Sequence, residues 1–204
     1  MVGKANGYDF DEPSGGNPEL LSSLGYYEWR AMFTGVPNDI FSPDMSVQYQ
    51  DMSRPITDYY ISSSHNTYLE GNQLLSKAST TRYSEDLLNG VRCVEMDVWD
   101  GPHGEPVIYH GCSMTGKITL HDALRVIHKN AFEVSPFPVI INLQNNCSRD
   151  QQARVADLLK KTFRDQLAIP KEIDSPVLPS PLDLKNKILI RSKHITTKQD
   201  AFVI

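Results

Sequence analysis

The chain has no run of eighteen apolar residues, so no segment is expected to span a membrane. Met1 to Pro18 carries glycine, asparagine and acidic residues with no apolar stretch, so it is not expected to be a secretory signal. Cysteine is scarce. Cys93, Cys112 and Cys147 lack metal-site spacing and leave an odd thiol, so a reduced, cytoplasmic setting is expected rather than a disulfide scaffold. Excess positive charge is also missing. The formal net charge is -5, which excludes a general polyanion binder such as a nucleic-acid protein. Any phosphate recognition must come from a local cluster.

Positive features begin with punctuation. Residues 1–18 read as a flexible leader. Residues 19–36 hold a short helical pattern of Leu20, Leu21, Leu24 and Tyr27, which Pro37-Asn38-Asp39 and Ser42-Pro43-Asp44 end. No twelve-residue loop with oxygens at calcium-binding offsets lies there. From Tyr59 the pattern becomes regular. Strands are expected at 59–63, 91–99, 139–144 and 187–191, with an extended piece at 106–110. Helices are expected at 80–88, 119–131 and 149–164. Asn89-Gly90 is a helix stop, Thr119 with Asp122 a capping signal, and Ser148 with Gln151 a capping box. Strand–helix alternation repeated about four times predicts an α/β fold of parallel strands covered by helices. An eight-stranded TIM-like barrel needs about 250 residues, so the chain holds about half of one.

Five polar stretches end or interrupt the apolar runs. They are Ser62-Ser63-Ser64-His65-Asn66-Thr67-Tyr68, Cys93-Val94-Glu95-Met96-Asp97-Val98-Trp99-Asp100-Gly101, Tyr109-His110-Gly111, Asn142-Leu143-Gln144-Asn145-Asn146 and Lys187-Ile188-Leu189-Ile190-Arg191-Ser192-Lys193. Strand parity puts Val94, Met96 and Val98 on one face and Glu95 and Asp97 on the other. Two such carboxylates are hard ligands for calcium or magnesium, or else the polar face of a half-exposed strand. Likewise Ile141 and Leu143 oppose Ile140, Asn142 and Gln144. His65 and His110 each follow an apolar run and can donate to a phosphoryl oxygen or act as general acid. Arg191 and Lys193 share a strand face, as a phosphate grip or a solvated strand end.

Taken together, the order and spacing of these stretches resemble the X region of eukaryotic phosphoinositide-specific phospholipase C, from about Tyr49 to about Lys193. The connecting Ser135-Pro136-Phe137-Pro138-Val139-Ile140 phrase agrees with it. The resemblance implies calcium-dependent cleavage of phosphatidylinositol 4,5-bisphosphate to inositol trisphosphate and diacylglycerol, in intracellular signal transduction, by a protein that visits the membrane surface. Carried over residue by residue, His65 stabilises the transition state, His110 is the general acid and Glu95 the base. Asn66, Glu95, Asp97 and Gln144 occupy the calcium-ligand positions, and Arg191 and Lys193 those that hold ring phosphates. Residues 19–48 correspond to the end of an EF-hand region, 49–193 to the first half of a TIM-like (β/α) barrel and 194–204 to a tail. A Y-like second half is the expected partner, and the chain alone is expected to aggregate or oligomerise. Gln144 departs from the family, which has glutamate there. Weaker calcium binding is therefore expected, with Asp100, Asn142 or Asn145 as candidates to compensate. The alternative reading is a catalytically weak relative that binds phosphoinositide or proteins.

Overall fold

A computed structural model describes residues 25–35, 38, 48, 50–169 and 178–192. They fall into two compact units, divided between Gln50 and Asp51. In the first, helix α1 spans Tyr26–Thr34 and buries none of its side chains. Its Trp29 and Phe33 rings, one turn apart, stack with centroids 4.4 Å apart. The remainder of the expected 19–36 helix, including Leu20, Leu21 and Leu24, lies outside the described residues.

The second unit is built on strand alternation. Strand β1, Cys93–Trp99, buries Val94, Met96 and Val98 completely, as its period-2 pattern predicts. It is preceded by helix α2, Thr81–Leu88, which ends at Asn89-Gly90. Gly90 takes φ 87°, a left-handed conformation that favours glycine. Strands β2 (Val107–Ile108) and β3 (Ile118–Thr119) follow, then helix α3, Leu120–Asn130. Leu120, Ala123, Leu124 and Ile127 form the buried stripe of α3. Thr119 caps it, its hydroxyl accepting from the Asp122 N–H at 3.1 Å. Strand β4 is Val139–Asn146, helix α4 is Arg149–Phe163, and strand β5 is Ile188–Arg191. Val155, Leu158, Leu159 and Phe163 bury the inner face of α4.

One sheet runs β3-β2-β1-β4-β5. Strands β1, β4 and β5 are parallel, in a register that aligns Glu95 with Asn142 and Arg191, and Asp97 with Gln144. This is the expected half-barrel pattern, with two differences. Strands β2 and β3 return antiparallel. The Asp100–Pro106 connection is too short for a parallel crossover, which needs a dozen or more residues. The expected strand at 59–63 shrinks to one parallel bridge between Ser63 and Cys93. Its edge of β1 is taken from Val98 onward by β2, leaving only the lower part free.

The Ser148-Gln151 capping box is absent. Ser148 makes no side-chain cap. Its N–H and hydroxyl instead donate to Asp100 Oδ1, at 3.0 and 3.1 Å. The Gln151 amide clasps Gly101, donating to its carbonyl at 2.9 Å and accepting from its N–H at 3.1 Å. Bonds that could have closed the helix end tie the start of α4 to the loop after β1. At Gly101 any Cβ would collide with the Glu105 carbonyl, so this close approach requires glycine. At the opposite end of β1, Arg92 is a staple that the sequence pattern does not announce. Its partly buried guanidinium donates to the carbonyls of Ala131 at 2.7 Å, Leu87 at 3.3 Å, and Ser135 and Phe137 at 3.4 Å. It joins the ends of α2 and α3 to the approach to β4.

Candidate active site

The polar face of β1 carries Glu95 and Asp97 toward the carboxyl ends of the parallel strands. The 64–68 segment folds over it. Asn66 takes φ 48°, a left-handed conformation that asparagine tolerates better than most residues. This turn aims its N–H at Glu95 Oε2, 2.9 Å away. The other Glu95 oxygen accepts from Asn142 Nδ2 at 3.0 Å. His65 Nε2 stands 3.5 Å from Glu95 Oε2, on a largely exposed ring. The Thr67 hydroxyl accepts the Glu95 N–H at 3.0 Å. Tyr83, from α2, donates to the Glu95 carbonyl at 2.9 Å. The Glu95 backbone is thereby held from two sides and its carboxylate from three.

Asp97 is 6% exposed. Its Oδ2 accepts the buried Tyr68 hydroxyl at 2.8 Å, and the same hydroxyl oxygen lies 3.2 Å from Asn66 Oδ1. Burial pushes the Asp97 carboxyl above the usual range; the Tyr68 bond opposes this and the Glu95 charge reinforces it. Burial, and then the bond to Asp97, push the Tyr68 phenol far upward, so it is a proton donor throughout the physiological range.

His110 sits on the loop after β2. The Tyr109 N–H donates to the Asp97 carbonyl at 3.3 Å, and the Trp99 indole N–H to the Tyr109 carbonyl at 3.1 Å. Thr115 accepts the His110 N–H at 3.3 Å, while the Ser113 hydroxyl donates to the His110 carbonyl at 2.5 Å. These bonds hold the backbone of His110 and not its ring. His110 Nδ1 is buried without a hydrogen-bond partner among the described residues. Beside this loop, the Met114 N–H donates to the Leu74 carbonyl at 3.0 Å, and Leu74, Leu75 and Met114 are exposed.

His65, Asn66, Glu95, Asp97 and His110 are thus gathered at one end of β1. Gln144 lies beside Asp97 in register, and its exposed side chain has no partner among the described residues. Arg191 is exposed at the end of β5, in line with Asn142. Lys193 lies outside the described residues. Sequence reasoning assigned no role to Tyr68 or Thr67 and gave Asn142 only a compensating one; all three shape the carboxylate pair.

Among the described residues no three His, Cys, Asp or Glu side chains form a metal cluster, so any cation site must also draw on amide oxygens. Asn66 supplies one. The Tyr68 hydroxyl oxygen lies close to both Asp97 Oδ2 and Asn66 Oδ1, while Asn66 Nδ2 is buried without a partner among the described residues. An acceptor-rich, proton-poor group with two carboxylates fits a hard divalent cation.

Fold and site define an α/β half barrel with carboxylates, amides and imidazoles gathered toward the carboxyl ends of its parallel strands. Residues 52–194 match the family described as phosphatidylinositol-specific phospholipase C, X domain, and the chain belongs to that family. It is similar to the 1-phosphatidylinositol 4,5-bisphosphate phosphodiesterase eta-1 of Homo sapiens, 48% identical over 77% of this chain and 9% of the relative. It is also similar to the delta-4 phosphodiesterase of Bos taurus, 44% identical over 92% of this chain and 24% of the relative. Among solved structures, S. officinalis PLC21 matches with a TM-score of 0.71 and 36% identity, over 87% of this chain and 24% of that one. The chain therefore spans a quarter or less of the length of these relatives.

Proposed function

We propose that this chain supplies the first half of the catalytic barrel of a phosphoinositide phospholipase C. The reaction is calcium-dependent cleavage of phosphatidylinositol 4,5-bisphosphate to inositol trisphosphate and diacylglycerol, in signal transduction. The observation that carries this reading is the convergence of His65, Asn66, Glu95, Asp97 and His110 on one strand end, in a member of the X-domain family. The names of the relatives quoted above agree with the substrate.

Asn66, Glu95 and Asp97 would hold calcium, with Gln144 at the fourth position. Bound there, the cation lowers the pKa of the substrate's 2-hydroxyl and stabilises charge at phosphorus. Glu95 takes the proton of that hydroxyl as its oxygen bonds to phosphorus. His65 donates to the phosphoryl oxygen as charge grows. His110 gives its proton to the diacylglycerol oxygen as the phosphorus–oxygen bond breaks. Water then adds to phosphorus as the bond to the 2-oxygen breaks: His110 takes back a proton from the water, and Glu95 returns its proton to the 2-oxygen. Arg191 and Lys193 grip the ring phosphates.

Residues 49–193 form the half barrel in this reading, and a Y-like segment completes it. The protein works from the cytoplasm as a peripheral visitor to the bilayer. No described helix is long and apolar enough to cross a membrane. The exposed Leu74, Leu75 and Met114 beside the His110 loop supply an apolar rim that could meet a bilayer. Gln144, neutral and exposed, favours a second reading: a catalytically weak relative that retains phosphoinositide binding.

Hydrolysis of phosphatidylinositol 4,5-bisphosphate in mixed vesicles, with calcium or with chelator, decides between them. The chain is assayed alone and with the Y region of a relative added. Calcium-dependent release of inositol trisphosphate, reduced about 10²–10⁴-fold in kcat by His110→Ala with little change in KM, supports the enzyme. Vesicle binding without turnover supports the second reading.

A further inference from the structure

We infer that Tyr68 is a positioning residue of the cation site: its buried hydroxyl fixes the separation and orientation of Asn66 and Asp97. The inference rests on the calcium reading above. Tyr68 is fully buried, and its carbonyl accepts the Ser79 N–H at 2.8 Å across a hairpin that Leu69 and Ala78 bridge. Ring and backbone are both anchored, so the hydroxyl is a fixed point. It reaches two oxygens on different segments, Asp97 Oδ2 at 2.8 Å and Asn66 Oδ1 at 3.2 Å.

A phenol has one proton. The shorter contact takes it, so Asp97 Oδ2 is pinned and Asp97 Oδ1 remains for a cation. The second contact then brings two oxygens together with no proton between them. On the far side of the same amide, Asn66 Nδ2 is buried without a partner among the described residues. Half a turn of the amide would set Nδ2 against the Tyr68 oxygen and remove the oxygen–oxygen contact. The oxygen-inward orientation is the one a cation stabilises. Tyr68 thereby couples the orientation of Asn66 to occupancy of the site. Side chains that orient metal ligands through hydrogen bonds typically change affinity about 10- to 100-fold when they are removed.

Tyr83 provides the control. It is equally buried and its hydroxyl also bonds the β1 strand, but it meets the Glu95 backbone carbonyl rather than a ligand side chain. With the Y region of a relative added, calcium affinity is measured by titration calorimetry on the wild-type chain, Tyr68→Phe, Tyr83→Phe, Asp97→Asn and the Tyr68→Phe/Asp97→Asn double variant, with thermal unfolding in chelator. Tyr68→Phe is expected to weaken calcium about 10- to 100-fold. Tyr83→Phe is expected to lose stability and to weaken calcium less than Tyr68→Phe does, because it reaches a ligand's backbone and not its side chain. Adding Tyr68→Phe to Asp97→Asn is expected to cost less than Tyr68→Phe costs alone, because only its action through Asn66 remains. If the wild type binds calcium, Asp97→Asn weakens it and Tyr68→Phe does not, the positioning role is wrong and the calcium reading stands. If the wild type does not bind calcium, both fall. Should Tyr68→Phe not fold, the wild-type chain carries the test by NMR of ¹³Cζ-labelled tyrosine. Calcium must shift the Tyr68 resonance more than that of Tyr83, and an unmoved Tyr68 resonance overturns the inference.

Discussion

Gln144→Glu tests the proposed fourth ligand position through charge alone. The β1–β4 register sets Gln144 beside Asp97, and neighbouring strands lie about 4.8 Å apart. A carboxylate there would stand about 5–6 Å or less from a cation held by Asp97. Gln144 is exposed, so an effective dielectric of about 40 is reasonable, between the values for surface pairs and water. One charge against a divalent ion is then worth about 3 kcal/mol, and salt screening brings it to about 1.5–3 kcal/mol. That corresponds to about 10- to 100-fold tighter calcium. Without calcium the same charge only repels Asp97 and Glu95, costing the folded chain about 1 kcal/mol. The signature is therefore a crossing: Gln144→Glu melts below wild type in chelator and above it in saturating calcium. Calorimetric titration and paired thermal melts measure both arms. Unchanged affinity, or melting shifts of the same sign in both conditions, would refute the placement of Gln144 in the metal shell.

The buried Asp97 carboxyl makes a second prediction. Its folded pKa is raised, so the folded state holds that proton more tightly than the unfolded one, and metal-free stability falls as pH rises from the ordinary carboxylate range through the raised value. Asp97→Asn is expected to flatten this limb in chelator and raise metal-free stability at neutral pH by about 0.5–2 kcal/mol, measured by urea unfolding across pH. At the other end of β1, Arg92→Ala removes charged donors from several carbonyls at once and is expected to cost about 3–5 kcal/mol in denaturant unfolding. Arg92→Lys, which keeps the charge but loses the fork, should recover only part of this. Gln151→Ala opens the clasp on Gly101 and is expected to cost about 1–2 kcal/mol in the same assay.

Much of the fold was legible because its signals are local. Alternation in Val94 to Trp99 and in Val139 to Gln144 sorted core from polar face correctly, and spacing found the buried stripes of α3 and α4. What stayed hidden depended on residues far apart in the chain. Ser148 and Gln151 have the composition of a capping box, yet Asp100 and Gly101 compete for the same donors and win. The Arg92 fork reads as an ordinary surface cation until α2, α3 and the approach to β4 converge on it. The antiparallel return of β2 was implicit in a short connection, but repeated strand–helix alternation pointed to another parallel strand.

The site itself follows one geometric rule that joins these two cases. Ser63 bridges Cys93, Ser64 donates to the Cys93 carbonyl, Asn66 and Thr67 bond Glu95, and Tyr68 bonds Asp97. Each partner lies nearly the same distance along the chain. The 63–68 segment therefore runs alongside β1 in a parallel sense after its backbone ladder has ended, and side chains continue the pairing that main-chain bonds began. Asn66 and Tyr68, two apart, meet Glu95 and Asp97, also two apart. The match of two polar period-2 pairs was visible in the sequence. It had no meaning until the single Ser63–Cys93 bridge set the register, because shifting a strand by one residue exchanges its faces. The short first strand is thus more than a reduced barrel element. It sets which side chains of the loop above it reach the two carboxylates, and the chemistry proposed for the site depends on that alignment.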